Sequence, residues 1–134
     1  MGGVFMKWQN AFSTGIKKID DEHKVLVQLL IKLENSIASE DEERVIALVL
    51  RELVDYVKFH FKSEEEVMKK INFPDLHRHK KLHKNLVHEV ATILVDLKNG
   101  RDWSTQELVA FLQHWLMEHI IGEDLKIGQY LGVI

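Results

Sequence analysis

Four separate runs of this 134-residue chain carry apolar residues at alternating steps of three and four, interrupted by a few histidines and one glutamate. That spacing places the residues on one face of a helix and is typical of helices packed against a core. The runs extend over residues 16–37, 46–71, 76–97 and 108–119. No segment has the period of two that indicates a half-buried strand. The chain is therefore predicted to be all-α.

Turn and capping residues separate the four runs. Two segments have the Ser-x-x-Glu spacing of a capping box, Ser39–Glu42 and Ser104–Glu107. Pro74 disfavours helical geometry at the preceding residue, and Gly100 suits a left-handed cap after the third helix. Short connections make neighbouring helices antiparallel. We predict one up-down-up-down four-helix bundle over residues 1–134, with an N-terminal arm of about 1–15, helices at about 16–38, 40–72, 75–99 and 104–122, and a short C-terminal tail.

The composition excludes several classes of function. The chain has no cysteine, which rules out disulfides, thiolate zinc sites, iron–sulfur clusters and a cysteine nucleophile. Its net charge of −3 gives no reason to expect a nucleic-acid partner. The longest uncharged apolar stretch, residues 108–117, is too short for a membrane span, and the N-terminus has no apolar signal core. We expect a cytoplasmic protein without a membrane partner.

Polar residues occupy six stripe positions where leucine or isoleucine is expected: His23, His60, Glu64, His79, His83 and His119. A buried polar group without a partner costs about 1–3 kcal/mol, so six of them would consume most of the roughly 5–15 kcal/mol that stabilises a domain. They must satisfy each other, meet water or hold a ligand. Their positions along alternating antiparallel helices bring all six to the same end of the bundle, which is typical of a metal site in a bundle core.

The spacing and the residue types narrow the choice of metal. Two pairs are four residues apart and share a helix face, namely His60–Glu64 and His79–His83. After His119, the four-residue spacing alone favours Glu123, whereas Asp124 faces the same way only in a π-type turn, which Gly122 would permit. Five imidazoles are too many for one tetrahedral zinc, and calcium or magnesium prefers oxygen ligands. The set favours two iron ions.

The order of these residues resembles that of the hemerythrins, specifically the single-domain bacterial form: His23; His60-x-x-x-Glu64; His79-x-x-x-His83; His119-x-x-x-x-Asp124. The entry segment from Trp8 to His23 and the stretch Tyr56–Glu66, YVKFHFKSEEE, are also similar to that family. The resemblance covers nearly the whole chain and fills all seven ligand positions. It therefore selects Asp124 over Glu123.

The resemblance implies a non-haem di-iron centre that binds dioxygen reversibly, for transport, storage or sensing, and no enzymatic activity. The implied ligands are three histidines on one iron, two on the other and two carboxylates that bridge both: His79, His83 and His119; His23 and His60; Glu64 and Asp124. An oxo or hydroxo group is implied as a further bridge. The iron with two histidines is expected to keep an open position for dioxygen, and no protein partner is indicated.

The resemblance also implies an apolar pocket, formed by residues next to or one turn from the ligands: Leu26, Tyr56, Phe61, Trp115, Leu116 and Ile120. The hydroxyl of Tyr56 is a candidate hydrogen-bond donor near the site, at a position where the animal proteins are expected to have phenylalanine. Glu65 and Glu66 are assigned to a solvated face. The pair His114–Glu118 repeats the spacing of His60–Glu64 but lies off the stripe, so we expect it to hold no metal.

Two other functions compete with oxygen binding. The first is a di-iron redox enzyme or a scavenger of peroxide or nitric oxide. Ferritin-like di-iron enzymes use Glu-x-x-His pairs, and this chain contains none. The second is a b-type haem bundle, for which five core imidazoles and two carboxylates are more than the two axial ligands require. Metal analysis separates the haem bundle from a di-iron centre, since we expect two irons per chain and no porphyrin.

Overall fold

The computed structural model describes residues 7–37, 40, 42–100 and 103–134, without the side chains of Ile120 and Ile121. In these ranges the regular structure is helical and contains no strand. A short 3₁₀ turn, Asn10–Phe12, precedes four main helices: α1 Lys17–Asn35, α2 Glu42–Lys70, α3 Leu76–Lys98 and α4 Thr105–Met117. A π-helical segment, Glu118–Asp124, joins α4 to α5, Leu125–Leu131. The predicted antiparallel helical bundle is confirmed.

The helices enclose two apolar clusters, one on each side of a polar layer. Helix α1 packs on α2 and α4, and α2 packs on α3. The larger cluster contains buried residues from all four main helices, such as Leu30, Leu50, Ile93 and Leu112. The smaller cluster consists of Ile19, Met68, Phe73 and Ile127. On every helix the predicted polar positions fall between these two clusters, so the bundle holds them in one layer.

Helix α2 ends at Lys70, two residues earlier than predicted, and Asn72 is the reason. Asn72 adopts a left-handed conformation with φ of 55°. Its amide donates to the carbonyl of Lys69, and the amide of Phe73 donates to the carbonyl of Met68 at 2.9 Å. This is the Schellman arrangement, which satisfies the last carbonyls of a helix. The helix therefore stops before Pro74 has any effect on it.

The fourth helical run continues beyond the predicted end at residue 122, so the C-terminal tail is shorter than expected. Gly122 lies inside the π-helical segment and does not break the helix. The run ends at Gly132, which has φ of +79°. The N-terminal arm holds α5 in place, because the carbonyl of Thr14 lies so close to Gly128 that a Cβ there would be 1.9 Å from its oxygen. The buried Asp20 fixes Thr14 by accepting from its amide and hydroxyl at 2.7 and 2.8 Å.

Two of the predicted helix signals are confirmed. Ser104 and Glu107 form a reciprocal capping box at the start of α4. Gly100 has φ of +79° directly after the C-cap of α3. Ser39, the first residue of the other predicted capping box, lies outside the described residues. Among those residues, no helix combines the length and the apolar character needed to span a membrane.

Candidate metal centre

The structure brings together the seven residues singled out as ligands, all of them 2% exposed or less. They come from α1, α2, α3 and the π-helical segment: His23; His60 and Glu64; His79 and His83; His119 and Asp124. The five imidazoles all turn their Nε2 atoms toward the two carboxylates. The convergence follows from the antiparallel topology, since each helix contributes its residues at the same level of the bundle.

Glu64 lies between two sets of imidazoles and offers a different oxygen to each. Its Oε1 is 2.9 Å from Nε2 of His79 and 3.0 Å from Nε2 of His83. Its Oε2 is 3.2 Å from Nε2 of His60 and 3.6 Å from Nε2 of His23. One carboxylate therefore faces two places at which a cation could be held.

Asp124 also contacts imidazoles of both sets. Its Oδ1 is 3.0 Å from Nε2 of His79. Its Oδ2 is 2.8 Å from Nε2 of His23 and 2.9 Å from Nε2 of His119. The ligand atoms thus form two overlapping groups that share both carboxylates, each with all its atoms within 4.8 Å of one another: Glu64, His79, His83, His119 and Asp124; His23, His60, Glu64 and Asp124.

The π-helical segment decides which carboxylate enters the site. In a regular α-helix, Asp124 would lie about 140° round from His119. Wider π winding aligns residues five apart, so both side chains point into the bundle. Glu123 points outward instead, where Arg78 donates two hydrogen bonds to it at 2.8 and 3.0 Å. The four-residue spacing that favoured Glu123 fails because the helix is not an α-helix there.

The donor atoms fit a metal better than they fit each other. Nε2 of His60, Nε2 of His119 and Oε2 of Glu64 are buried and have no hydrogen-bond partner in the described part of the chain. His119 is informative because its Nε2 lies 2.9 Å from Asp124 without the alignment of a hydrogen bond. Metal–ligand bonds of about 2.0–2.2 Å set neighbouring ligand atoms at about this separation. The buried His/Glu/Asp cluster is therefore able to bind metal.

The charges of the cluster depend on mutual pairing. Burial alone would raise the pKa values of Glu64 and Asp124, but the surrounding imidazoles outweigh it and hold both well below their usual range. Burial likewise opposes protonation of the histidines, yet pairing with nearby carboxylates raises the pKa of His23, that of His60 strongly, and that of His79 to about 10. Without metal, protons on the imidazoles compensate the two neighbouring negative charges of Glu64 and Asp124.

Outer partners of two imidazoles were not predicted as functional residues. Glu22, buried between α1 and α2, accepts from Nδ1 of His60 at 2.7 Å and from the Ser63 hydroxyl at 2.8 Å. Glu65, assigned to a solvated face, is 25% exposed but also accepts from Nδ1 of His83 at 2.7 Å. Both acids lie off the apolar stripes. Their only sequence signal is adjacency to His23 and Glu64, two of the predicted ligands.

The predicted pocket residues differ in burial. Phe61 is buried and stacks on His83 with ring centroids 3.8 Å apart, and it also touches His60 and His119. Three others are buried in the larger apolar cluster: Leu26, Trp115 and Leu116. Tyr56 is only half-buried, and its hydroxyl makes no hydrogen bond within the described ranges. The side chain of Ile120 lies outside the described residues.

The exposed pair His114–Glu118 stays apart from the buried cluster. Its Nε2 and Oε1 atoms are 3.2 Å apart, and the two side chains are 73% and 72% exposed. They line an open groove of about 740 Å³ between α3 and the fourth helical run. Among the described residues no third His, Cys, Asp or Glu joins them to form a ligand group.

Comparison with known proteins identifies the family. The family model of the hemerythrin HHE cation-binding domain matches residues 14–131, nearly the whole chain. The chain belongs to the hemerythrin family. A hemerythrin-like protein of Naegleria gruberi is 35% identical over 95% of this chain and 92% of its own length. A bacteriohemerythrin of Pseudomonas paraeruginosa is 36% identical over 87% of this chain and 75% of its own length.

Solved structures agree with the sequence relatives. A crystal structure of wild-type hemerythrin superposes with a TM-score of 0.85 and is 33% identical, covering 94% of this chain and 97% of that one. A crystal structure of a hemerythrin point mutant matches equally well, at 32% identity. The chain is thus a hemerythrin domain whose buried His/Glu/Asp cluster lies in the core of its helical bundle.

Proposed function

We propose that this hemerythrin domain binds dioxygen reversibly at a non-haem di-iron centre. The proposed ligands are three histidines for one ion, two for the other and two shared carboxylates: His79, His83 and His119; His23 and His60; Glu64 and Asp124. An oxo or hydroxo group would complete the bridge. A pair of ferrous ions there would supply the two electrons that dioxygen takes up on binding and returns on release.

The observation that carries this proposal is the sharing of both carboxylates by two groups of unequal size. One group has five protein ligands and the other has four. Nitrogen and oxygen donors in this number suit iron, whereas a single tetrahedral zinc would leave three side chains of the cluster unused. The smaller group is left with room for an external ligand, which is what oxygen binding requires.

The surrounding side chains support reversible binding because they keep water away. The ligand layer lies between two apolar clusters, and Phe61 covers the imidazoles of His83 and His119. Exclusion of water and protons slows the side reactions that would leave oxidised, inactive iron. We propose that the following residues line the pocket around the smaller group: Leu26, Tyr56, Phe61, Trp115, Leu116 and Ile120.

The test is anaerobic loading with ferrous iron, followed by metal analysis and optical spectra in air and after removal of oxygen. We expect two irons per chain, no porphyrin, and an absorption band that appears in air and disappears on deaeration. One zinc per chain, or an air-induced change that never reverses, would contradict the proposal. Sustained consumption of oxygen, peroxide or nitric oxide by the loaded protein would favour the redox-enzyme alternative.

A further inference from the structure

Glu22 is a buried acid in contact with a proposed ligand but not itself a member of either ligand group. Its side chain is 9% exposed, and both of its oxygens are used. Oε1 accepts from Nδ1 of His60 at 2.7 Å, and Oε2 accepts from the hydroxyl of Ser63 at 2.8 Å. The contacts join α1 to α2 directly behind the smaller ligand group. A buried carboxylate held at both oxygens cannot turn away to solvent.

This contact determines which ring nitrogen of a neutral His60 carries the proton. An ionised carboxylate can only accept, so the proton of a neutral His60 lies on Nδ1 and the lone pair lies on Nε2. Nε2 is the atom that faces Glu64 at 3.2 Å and has no hydrogen-bond partner in the described part of the chain. Acceptors behind a ligating histidine orient the ring and make it a stronger electron donor.

Among the described residues, no other imidazole of the cluster donates to a buried carboxylate outside the two ligand groups. His83 also donates to a carboxylate, but Glu65 is 25% exposed, so water and salt screen its charge. Nδ1 of His23 and Nδ1 of His119 have no hydrogen-bond partner within the described ranges. In the part of the chain that the structure describes, the smaller group therefore has one outer carboxylate, Glu22, which is more buried than Glu65.

We propose that Glu22 is a positioning residue that holds His60 toward the metal and places a fixed negative charge behind the smaller ligand group. This inference rests on the proposed di-iron function. The charge stabilises the more positive, ferric state of the nearer ion and lowers its reduction potential. A metal ion held by His60 would then be the easier of the two to oxidise.

The experiment compares Glu22→Gln, Glu65→Gln and Glu66→Gln in the iron-loaded full chain. Glutamine keeps the shape of Glu22 and an oxygen that accepts from His60, but it removes the charge. We expect Glu22→Gln to retain two irons and to raise one midpoint potential in a spectroelectrochemical titration. Glu65→Gln should give a smaller shift of the same sign, and Glu66→Gln, an exposed neighbour, none.

Two further variants separate charge from structural loosening. Ser63→Ala removes a donor from Glu22 and leaves its charge less compensated, so the same potential should fall instead of rise. Glu22→Ala removes the acceptor of His60, and we expect ferrous affinity at one of the two positions to drop about 10–100-fold in a chelator competition. General loosening would not produce shifts of opposite sign.

Several results would overturn the inference. They are a Glu22→Gln potential equal to that of Glu66→Gln, a larger shift for Glu65→Gln, or a rise in Ser63→Ala. If Glu22→Ala does not fold, the potentials of the three glutamine variants and of Ser63→Ala still test the inference. Failure of the unmodified protein to take up two irons would refute the proposed function itself, and that is measured before any variant.

Discussion

Replacement of Gly128 by alanine is expected to destabilise the protein and to weaken metal binding, although Gly128 does not touch the metal centre. A Cβ at this position would lie 1.9 Å from the carbonyl oxygen and 2.8 Å from the carbonyl carbon of Thr14. Ordinary van der Waals contact begins near 3.4 Å, so α5 and the arm must separate by 3.4 − 1.9 = 1.5 Å. The clash is with backbone atoms, which no side-chain rotation relieves.

Three contributions set the size of the effect. Overpacking costs about 1–3 kcal/mol. Movement of Thr14 also weakens its hydrogen bonds to the charged Asp20, worth about 1.5–3 kcal/mol. Alanine returns about 1 kcal/mol through its better helix propensity. The expected net loss in the free energy of unfolding is therefore about 1.5–5 kcal/mol. Because Asp124 is one turn before Gly128, iron affinity should fall with it.

The assay is urea unfolding of the metal-free protein, together with iron analysis after loading. The matched control is Gly122→Ala, because a Cβ at Gly122 meets nothing within 4 Å. That variant should be as stable as the unmodified chain or more stable by up to about 1 kcal/mol. Equal stability of the Gly128 and Gly122 variants would refute the proposed contact between the arm and α5.

Three other perturbations test the metal centre. His119→Ala should lower both the iron content and the gain in stability on iron loading, because metal binding is linked to folding. His114→Ala should change neither. Unaltered iron content in His119→Ala would contradict the assignment of His119 as a ligand. In the metal-free protein, the pKa of His79 is raised to about 10, so its contribution to stability is complete below pH 6.5 and is lost as the pH rises to 10. The pKa values of Glu64 and Asp124 are lowered, so their contribution to stability is lost in acid below about pH 4. Urea unfolding from pH 6 to 10 should show the loss of stability that His79 causes. Calorimetry in buffers of different ionisation enthalpy should show that iron binding releases protons. An iron affinity independent of pH would contradict this proton release. Phe61→Leu should speed irreversible oxidation in air, measured as loss of the oxygenated absorption band, because the ring stacked on His83 is lost; the exposed Phe59→Leu serves as its control.

The sequence was sufficient for the bundle and for the layer of polar residues within it. Stripe positions determine which side chains face inward, and alternating helix directions determine which of them share a level. His23 and His79 could therefore be grouped without coordinates, although they are 56 positions apart in the sequence (79 − 23). Glu64 could be grouped with them for the same reason.

Local backbone geometry limited the rest of the prediction. Asn72 ends α2 through a left-handed conformation that asparagine adopts only in some contexts, so Pro74 was the more visible signal. The choice between Glu123 and Asp124 depended on the number of residues per helical turn. An analysis of periodicity takes this number to be that of a regular α-helix. Glu22 and Glu65 were missed because polar residues off a stripe normally face solvent, and only the packing of neighbouring helices turns them toward His60 and His83.

The π-helical segment has a consequence for how sites of this kind are recognised. Such a segment behaves as a one-residue insertion into an α-helix. A chain shortened by one residue between His119 and Asp124 can return to α winding, keep the two proposed ligands on one face and leave Ile127 in register with its apolar neighbours. The last pair of proposed ligands can therefore be four or five residues apart while the three-dimensional arrangement stays the same. A motif search with a fixed gap at this point would overlook chains that build an equivalent centre.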